Sequence, residues 1–163
     1  MKDQLQHYGT LGLGSRFKRL SEFMMKEIQI VYQSCNIDFD PYLFPIFKVI
    51  IDQKLVTTTD IQEQLQYTQP AITQALKKLM DKKLVGYKTD TTDKRKKHFK
   101  LTNKGKKIHQ EMIPLWKVID EQIKWLTEGS AISLLHHLTH LESQLRKKSL
   151  SERILENYNK LSI

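Results

Sequence analysis

Gln69, Thr73, Gln74 and Lys77 bring amide, hydroxyl and ammonium groups to one short stretch, at spacings that repeat on a helix. Such groups exchange hydrogen bonds rather than break covalent ones. A glutamine pairs bidentately with adenine in a major groove, a lysine reaches guanine, and a threonine touches a thymine methyl or a phosphate. Gln69 falls in the first helical turn, where free N–H groups and the helix dipole favour a phosphate oxygen. Further along, Thr92-Asp93-Lys94-Arg95-Lys96-Lys97 is too polar to pack into a core. A basic tip of this kind fits an adjacent minor groove, where narrow A·T-rich stretches attract arginine. Asp93, alone among four cations, reads as the local partner that orients Arg95.

The charge of the chain has the same address. Its 163 residues carry 27 Lys+Arg against 18 Asp+Glu, a formal net charge of +9. Thirteen of those cations and three of the carboxylates lie between Lys77 and Lys107, and the remainder is nearly balanced. A basic segment beside a neutral remainder is the footprint of a nucleic-acid surface, with a solvated lysine-rich face as the plainer alternative. Catalysis finds no support. The phosphate loops G-x-x-x-x-G-K-[ST] and G-x-G-x-x-G are absent, as are the zinc motif H-E-x-x-H and any convincing Ser/His/Asp set. The glycine-rich loop by which acetyltransferases hold their cofactor is missing too, so neither enzyme activity nor a cofactor is expected.

Composition bounds the rest. Hydrophobic residues at 39% and charged residues at 28% allow a real core and exclude a disordered or collagenous chain. No apolar run approaches the roughly 18–20 residues of a membrane span. The start Met1-Lys2-Asp3-Gln4 lacks an apolar signal segment. The single cysteine, Cys35, excludes an internal disulfide and fits a reducing compartment. The expectation is a cytoplasmic protein without a membrane partner.

The elements that must position these groups follow from periodicity. Ile72, Ala75, Leu76, Leu79 and Met80 predict a helix from an N-cap at Thr68 to about Asp81, leaving Pro70, Thr73, Gln74 and Lys77 on the opposite face. Before it, Thr57 and Asp60 form a capping-box pattern for a short helix to Leu65, and Gln66-Tyr67 is a tight connection. Together they make a helix-turn-helix. Leu84–Lys88 and Lys97–Leu101 read as two strands around a polar turn. Thr102-Asn103 caps a long helix to Leu126, with a kink expected at Pro114. Gly129-Ser130 closes it, Leu134, Leu138, Leu141 and Leu145 mark another helix, and Ser151–Tyr158 forms a helical tail. Upstream, Phe17 to Val31 predicts a helix over 15–34, and Asp40-Pro41 opens a second one towards Asp52. The fold class is mainly α: a winged helix-turn-helix with a two-stranded basic wing, flanked by helices at both ends.

Residues Thr57 to Gly105 resemble the winged-helix core of MarR-type transcriptional regulators. The resemblance rests on Thr57…Ile61…Leu65, on Thr68-Gln69-Pro70-Ala71-Ile72-Thr73-Gln74 and on Leu84-Val85. It is most specific at Asp93-Lys94-Arg95, the D-x-R of the wing, followed by Leu101-Thr102-x-x-Gly105. The flanking helices match in placement, so it covers nearly the whole chain. Leu13-Gly14-Ser15-Arg16-Phe17 and Phe39…Pro41…Phe44-Pro45 further resemble a subgroup, some of whose members are fused to a GNAT-type acetyltransferase. Gln66 and Lys83 stand where the family often has glycine.

The resemblance implies one domain over 1–163, with a DNA-binding core at 36–105 and dimerisation helices at 1–35 and 106–163. It implies a homodimer reading a pseudo-palindrome in double-stranded DNA, with its recognition helices about 34 Å apart. Thr68, Gln69, Pro70, Thr73, Gln74 and Lys77 would face the major groove. Arg95, braced by Asp93 and flanked by Lys94, Lys96 and Lys97, would enter the minor groove. The implied function is transcriptional regulation, as a repressor. The alternative is an interaction module acting with another protein such as an acetyltransferase.

Three further groups have two readings each. His136 and His140 share a helical face at i, i+4, which suits a transition metal or a plain surface or interface pair. Cys35 is either a redox sensor or a buried or half-buried thiol, and nothing cationic lies beside it in Gln33-Ser34-Cys35-Asn36. Tyr42, Phe44, Phe47 and Trp116 either line a pocket for a small-molecule effector or belong to the core.

Overall fold

A computed structural model describes residues 3–161. Met1-Lys2, the start of the segment that lacks a signal pattern, and the last two residues of the expected domain lie outside the described residues. The chain divides into two compact units, Met1–Met112 and Ile113–Ile163.

The first unit opens with a short helix, α1 (Gln4–His7), capped by Asp3. Both carboxylate oxygens of Asp3 accept from the Arg19 guanidinium, at 3.0 and 2.6 Å. A 3₁₀ turn at Gly9–Gly12 leads into α2 (Leu13–Ser34), two residues longer at its start than the periodicity predicts. The helix stops at Asn36, whose φ of 56° is left-handed. Asp40 then accepts from the Tyr42 N–H at 3.0 Å, and Pro41 opens a 3₁₀ turn that runs into α3 (Phe44–Gln53). Pro45 is tolerated because the first-turn N–H it lacks has no helical partner anyway.

The helix-turn-helix comprises α4 (Thr58–Leu65) and α5 (Gln69–Asp81). The capping box forms as the sequence predicts: Thr57 Oγ1 accepts from the Asp60 N–H at 3.2 Å, and Asp60 accepts from the Thr57 N–H at 2.7 Å. Thr68 occupies the N-cap of α5, but its side chain makes no capping bond. The wing strands β1 (Val85–Thr89) and β2 (Lys97–Leu101) are antiparallel, with Val85 opposite Leu101 and Thr89 opposite Lys97. Val56 adds a bridge to Phe99 through two backbone bonds, at 3.1 and 2.7 Å, so the wing is tied to the residue before the Thr57 cap of α4. Thr102 then caps α6 (Asn103–Leu126), its hydroxyl accepting from the Gly105 N–H at 3.0 Å. This helix continues through Pro114.

The core of this unit is made by Phe39, Phe47 and Ile50 with Val56, Ile61, Ile72, Leu76, Leu79, Leu84 and Met112, all nearly inaccessible. Tyr32 from α2 meets Phe39 edge-on at 5.9 Å. By contrast Phe17, Leu20, Phe23, Ile30 and Val31 of α2 are exposed.

The second unit holds the end of α6, then α7 (Ala131–Lys147) and α8 (Leu150–Leu161). Gly129, at φ 76°, makes the turn out of α6. The Arg153 guanidinium donates to the carbonyls of Gln144 and Lys148, at 3.0 and 3.1 Å, and so satisfies the end of α7. Ser149 and Glu152 form a capping box for α8. Ile132, Leu134, Leu135, Leu141 and Leu145 on α7, and Leu150, Ile154, Leu155 and Tyr158 on α8, are exposed apolar residues.

Candidate nucleic-acid interface

One face of α5 is committed to the core through Ile72, Leu76 and Leu79. That burial fixes what the other face offers. Thr68, Gln69, Pro70, Thr73, Gln74 and Lys77 are all exposed. The Thr73 hydroxyl donates to the Gln69 carbonyl at 2.9 Å, so its proton is spent within the helix and only an acceptor and a methyl face outwards. Gln74 and Lys77 make no side-chain hydrogen bond or ion pair among the described residues. Two other lysines of this region are engaged. Lys78 pairs with Asp40 at 3.3 Å and Lys82 with Asp38, tethering α5 to the segment before α3. The Lys82 ammonium holds the Asp38 carboxyl below the usual carboxylate range.

The wing tip is organised by two aspartates. Asp93 accepts from the backbone N–H and from Nε of Arg95, at 3.1 and 3.2 Å, the bracing expected from the sequence. The Arg95 side chain is nevertheless 93% exposed. Asp90 is not legible as a functional residue from the sequence, although it makes more bonds than Asp93. It accepts from the Thr92 N–H and hydroxyl at 2.8 and 2.6 Å, from the Asp93 N–H at 2.9 Å, and pairs with His98 Nε2 at 2.9 Å. These bonds, the Thr92 hydroxyl foremost, hold its carboxyl far below the ordinary range. The one available signal is the Asp90-Thr91-Thr92 spacing, an Asx-turn pattern. Lys94 and Lys96 are exposed, and Lys97 Nζ sits 4.4 Å from the centre of the Tyr87 ring.

A cleft separates the wing from α4. Its walls include Thr57, Asp60, Asp90, Arg95, Lys96 and His98. Asp60 is held below its ordinary pKa mainly by its bonds to Thr57, with a smaller contribution from the nearby His98.

Phe47 is wholly buried against Phe39, the ring centres 5.1 Å apart, so it is a core residue. Tyr42 is exposed, Phe44 borders on exposure, and Trp116 is half-buried in the second unit. His136 and His140 are exposed on α7, where His136 lies 5.9 Å from the His137 ring. Among the described residues no group of three or more His, Cys, Asp or Glu is placed to hold a metal. The expectation of a buried or half-buried Cys35 is corrected: it is the C-cap of α2, at the helix end facing solvent, and is exposed. Among the described residues no helix is long and apolar enough to cross a membrane.

A two-helix element, a strand pair with a cationic tip and a third pairing through Val56 define a winged helix-turn-helix protein. Residues 48–105 match the family model of the winged helix DNA-binding domain. The chain is similar to MepR from S. aureus, solved in a DNA complex, with a TM-score of 0.68 and 23% identity over 82% of this chain and 97% of that one. BpsR from Bordetella bronchiseptica, described with regulation of its DNA binding by 6-hydroxynicotinic acid, gives 0.60 at 20% identity, over 80% and 98%. A mutant MarR from E. coli, complexed with operator DNA, gives 0.59 at 20% identity, over 88% and 99%. No curated protein matches the sequence. The chain has the winged-helix fold seen in the MarR and MepR structures.

Proposed function

We propose that the protein is a transcriptional regulator that binds double-stranded DNA as a homodimer, α5 entering the major groove and the wing the adjacent minor groove. One observation carries this reading. The groups suited to base edges, Gln69, Thr73, Gln74 and Lys77, stand exposed opposite a buried apolar face, and the segment that holds the charge excess begins at Lys77. Arg95, held by Asp93, extends the same surface. The DNA complexes of MepR and MarR support it at the level of a shared fold.

The exposed apolar residues of α2, α7 and α8 supply the surface for a second copy. Two copies reading one DNA turn apart select a pseudo-palindrome, and a dimer seated there acts as a repressor by occupying the site. The protein works in the cytoplasm and catalyses no reaction. Tyr42 and Phe44 offer aromatic contacts for a small-molecule effector, a proposal to which the 6-hydroxynicotinic acid regulation of BpsR lends support. An effector acts only by favouring one spacing of the two α5 helices over another.

The test is duplex binding measured across a salt series. Neutralising six to ten phosphates predicts a fall of roughly a thousandfold or more between about 50 and 200 mM salt. Failure to bind any duplex, random-sequence DNA included, overturns the proposal. A stable dimer that binds no DNA would instead favour a module acting on another protein.

A further inference from the structure

We propose that Asp90 and His98 are positioning residues for Arg95, forming a hydrogen-bonded relay that runs from β2 to the wing tip. What Arg95 does on DNA rests on the function proposed above; the relay itself is visible in the free protein. His98 Nε2 lies 2.9 Å from one carboxylate oxygen of Asp90. The other oxygen accepts from Thr92 and from the Asp93 N–H. Asp93 in turn accepts from Arg95 twice.

Little else holds the tip. Beyond the Thr89–Lys97 pair, two backbone bonds close the loop: Asp90 N–H to the Lys96 carbonyl and Lys96 N–H to the Asp93 carbonyl, both 2.9 Å. Arg95 is too exposed to be oriented by packing. Its direction is inherited from Asp93, whose backbone is fixed by Asp90, which His98 fixes in turn. His98 neighbours Phe99, buried and bonded to Val56, so the relay begins at a rigid point. Its surroundings also include Asp60 of α4 and the cations Arg95, Lys96 and Lys97 of the wing itself. A pre-organised arginine loses less conformational freedom on entering a groove than a free one. The relay therefore acts on minor-groove affinity without touching DNA.

The experiment is a double-mutant cycle with the full chain. The probe is a duplex enriched by this protein from a random pool, made with either A·T or G·C flanks under the wing. H98L is expected to weaken binding to the A·T-flanked duplex roughly tenfold, the size of an ordinary coupling between contacting residues, and to erase the flank preference. In an R95A background it changes nothing further. H98Q keeps a donor nitrogen and restores most of the loss. Independently of DNA, ¹⁵N relaxation of the Arg95 amide and Nε should show order lost in H98L and kept in H98Q, with α5 amides unaffected. Additive losses in the cycle, or an Arg95 equally ordered in all variants, overturn the relay. Should the wild type bind no duplex, the regulatory function falls, and the relaxation data alone decide the relay. Should H98L fail to fold, H98A removes the same imidazole and is read the same way.

Discussion

A methyl group added to Gly105 would lie 2.0 Å from the carbonyl oxygen of Leu84. The first turn of α6 thus rests directly on the backbone that enters β1, and that carbonyl also accepts from the Thr102 N–H at 3.0 Å. Neither side yields easily, since the oxygen belongs to the backbone and a methyl fixed to Cα has no rotamer by which to move aside. G105A should cost about 2 kcal/mol or more, within or above the usual range for overpacking. Urea denaturation checks this: the midpoint should fall with an unchanged slope. A variant as stable as the wild type would mean that α6 can slide off Leu84.

Lys83 carries strain of a different kind. Its φ is 58°, and Gln66 at the helix-turn-helix turn is similar at 55°. A non-glycine residue pays about 1–2 kcal/mol there. Glycine removes that cost but frees the unfolded chain, which takes back roughly 0.4–1 kcal/mol. K83G should therefore stabilise by several tenths to about 1 kcal/mol, whereas K83A, which keeps a Cβ, should gain nothing. The comparison of the two variants isolates backbone strain from the loss of a surface charge.

These two sites show what a sequence discloses. Local signals act between neighbours, and they are legible: the Thr57–Asp60 capping box, the Asp40-Pro41 start and the apolar period of α5 all form as expected. The D-x-R bracing of Arg95 is legible because the two residues are close in sequence. What escapes depends on tertiary placement. His98 reads as one polar residue in an alternating strand, and only the hairpin register brings it to Asp90. Phe47 and Tyr42 look alike in a helix-spaced aromatic set, yet one is core and the other surface. Cys35 is misread because its exposure is set by how α2 ends, not by its own chemistry.

Gln74 and Lys77 should fail differently when cut back. A glutamine bidentate to adenine reads sequence, so Q74A should relax specificity at one base pair by about 1–3 kcal/mol. If exposed Lys77 instead meets a phosphate, K77A should weaken all duplexes alike and lower the salt slope by about one. Binding to a panel of single-base variants at several salt concentrations separates the two. A K77A loss confined to one G·C position would instead assign Lys77 to guanine.

Phe23 tests the proposed dimer. It is 60% exposed on α2, among other exposed apolar residues. A two-fold interface uses each such residue twice. Losing a buried phenylalanine costs roughly 1.5–3 kcal/mol per copy, so F23D should raise the dimer dissociation constant at least about a hundredfold. Analytical ultracentrifugation gives the constant directly. Because the residue lies outside the core, the secondary structure by circular dichroism should not change. An undiminished dimer would place the interface on other apolar residues, those of α7 and α8 first.

His109 sets a pH dependence that can be separated from that of the carboxylates. Its pKa is lowered, first by partial burial and then by the Lys48 ammonium, with Asp52 opposing. The fold therefore favours the neutral imidazole, while the unfolded chain takes up a proton near the ordinary value of about 6.5. Stability from this group is complete above that value and is lost as pH falls through the lower folded pKa. Between about pH 7 and pH 5 unfolding should take up a fraction of one proton, visible as a falling urea midpoint. H109Q should flatten that slope. The depressed carboxylates Asp90, Asp60 and Asp38 act in a separate window, because a lowered carboxylate stabilises above its unfolded pKa and ceases to do so only as pH drops below about 4. The second fall should therefore persist in H109Q. Equal slopes for wild type and variant between about pH 7 and pH 5 would remove His109 as the linked group.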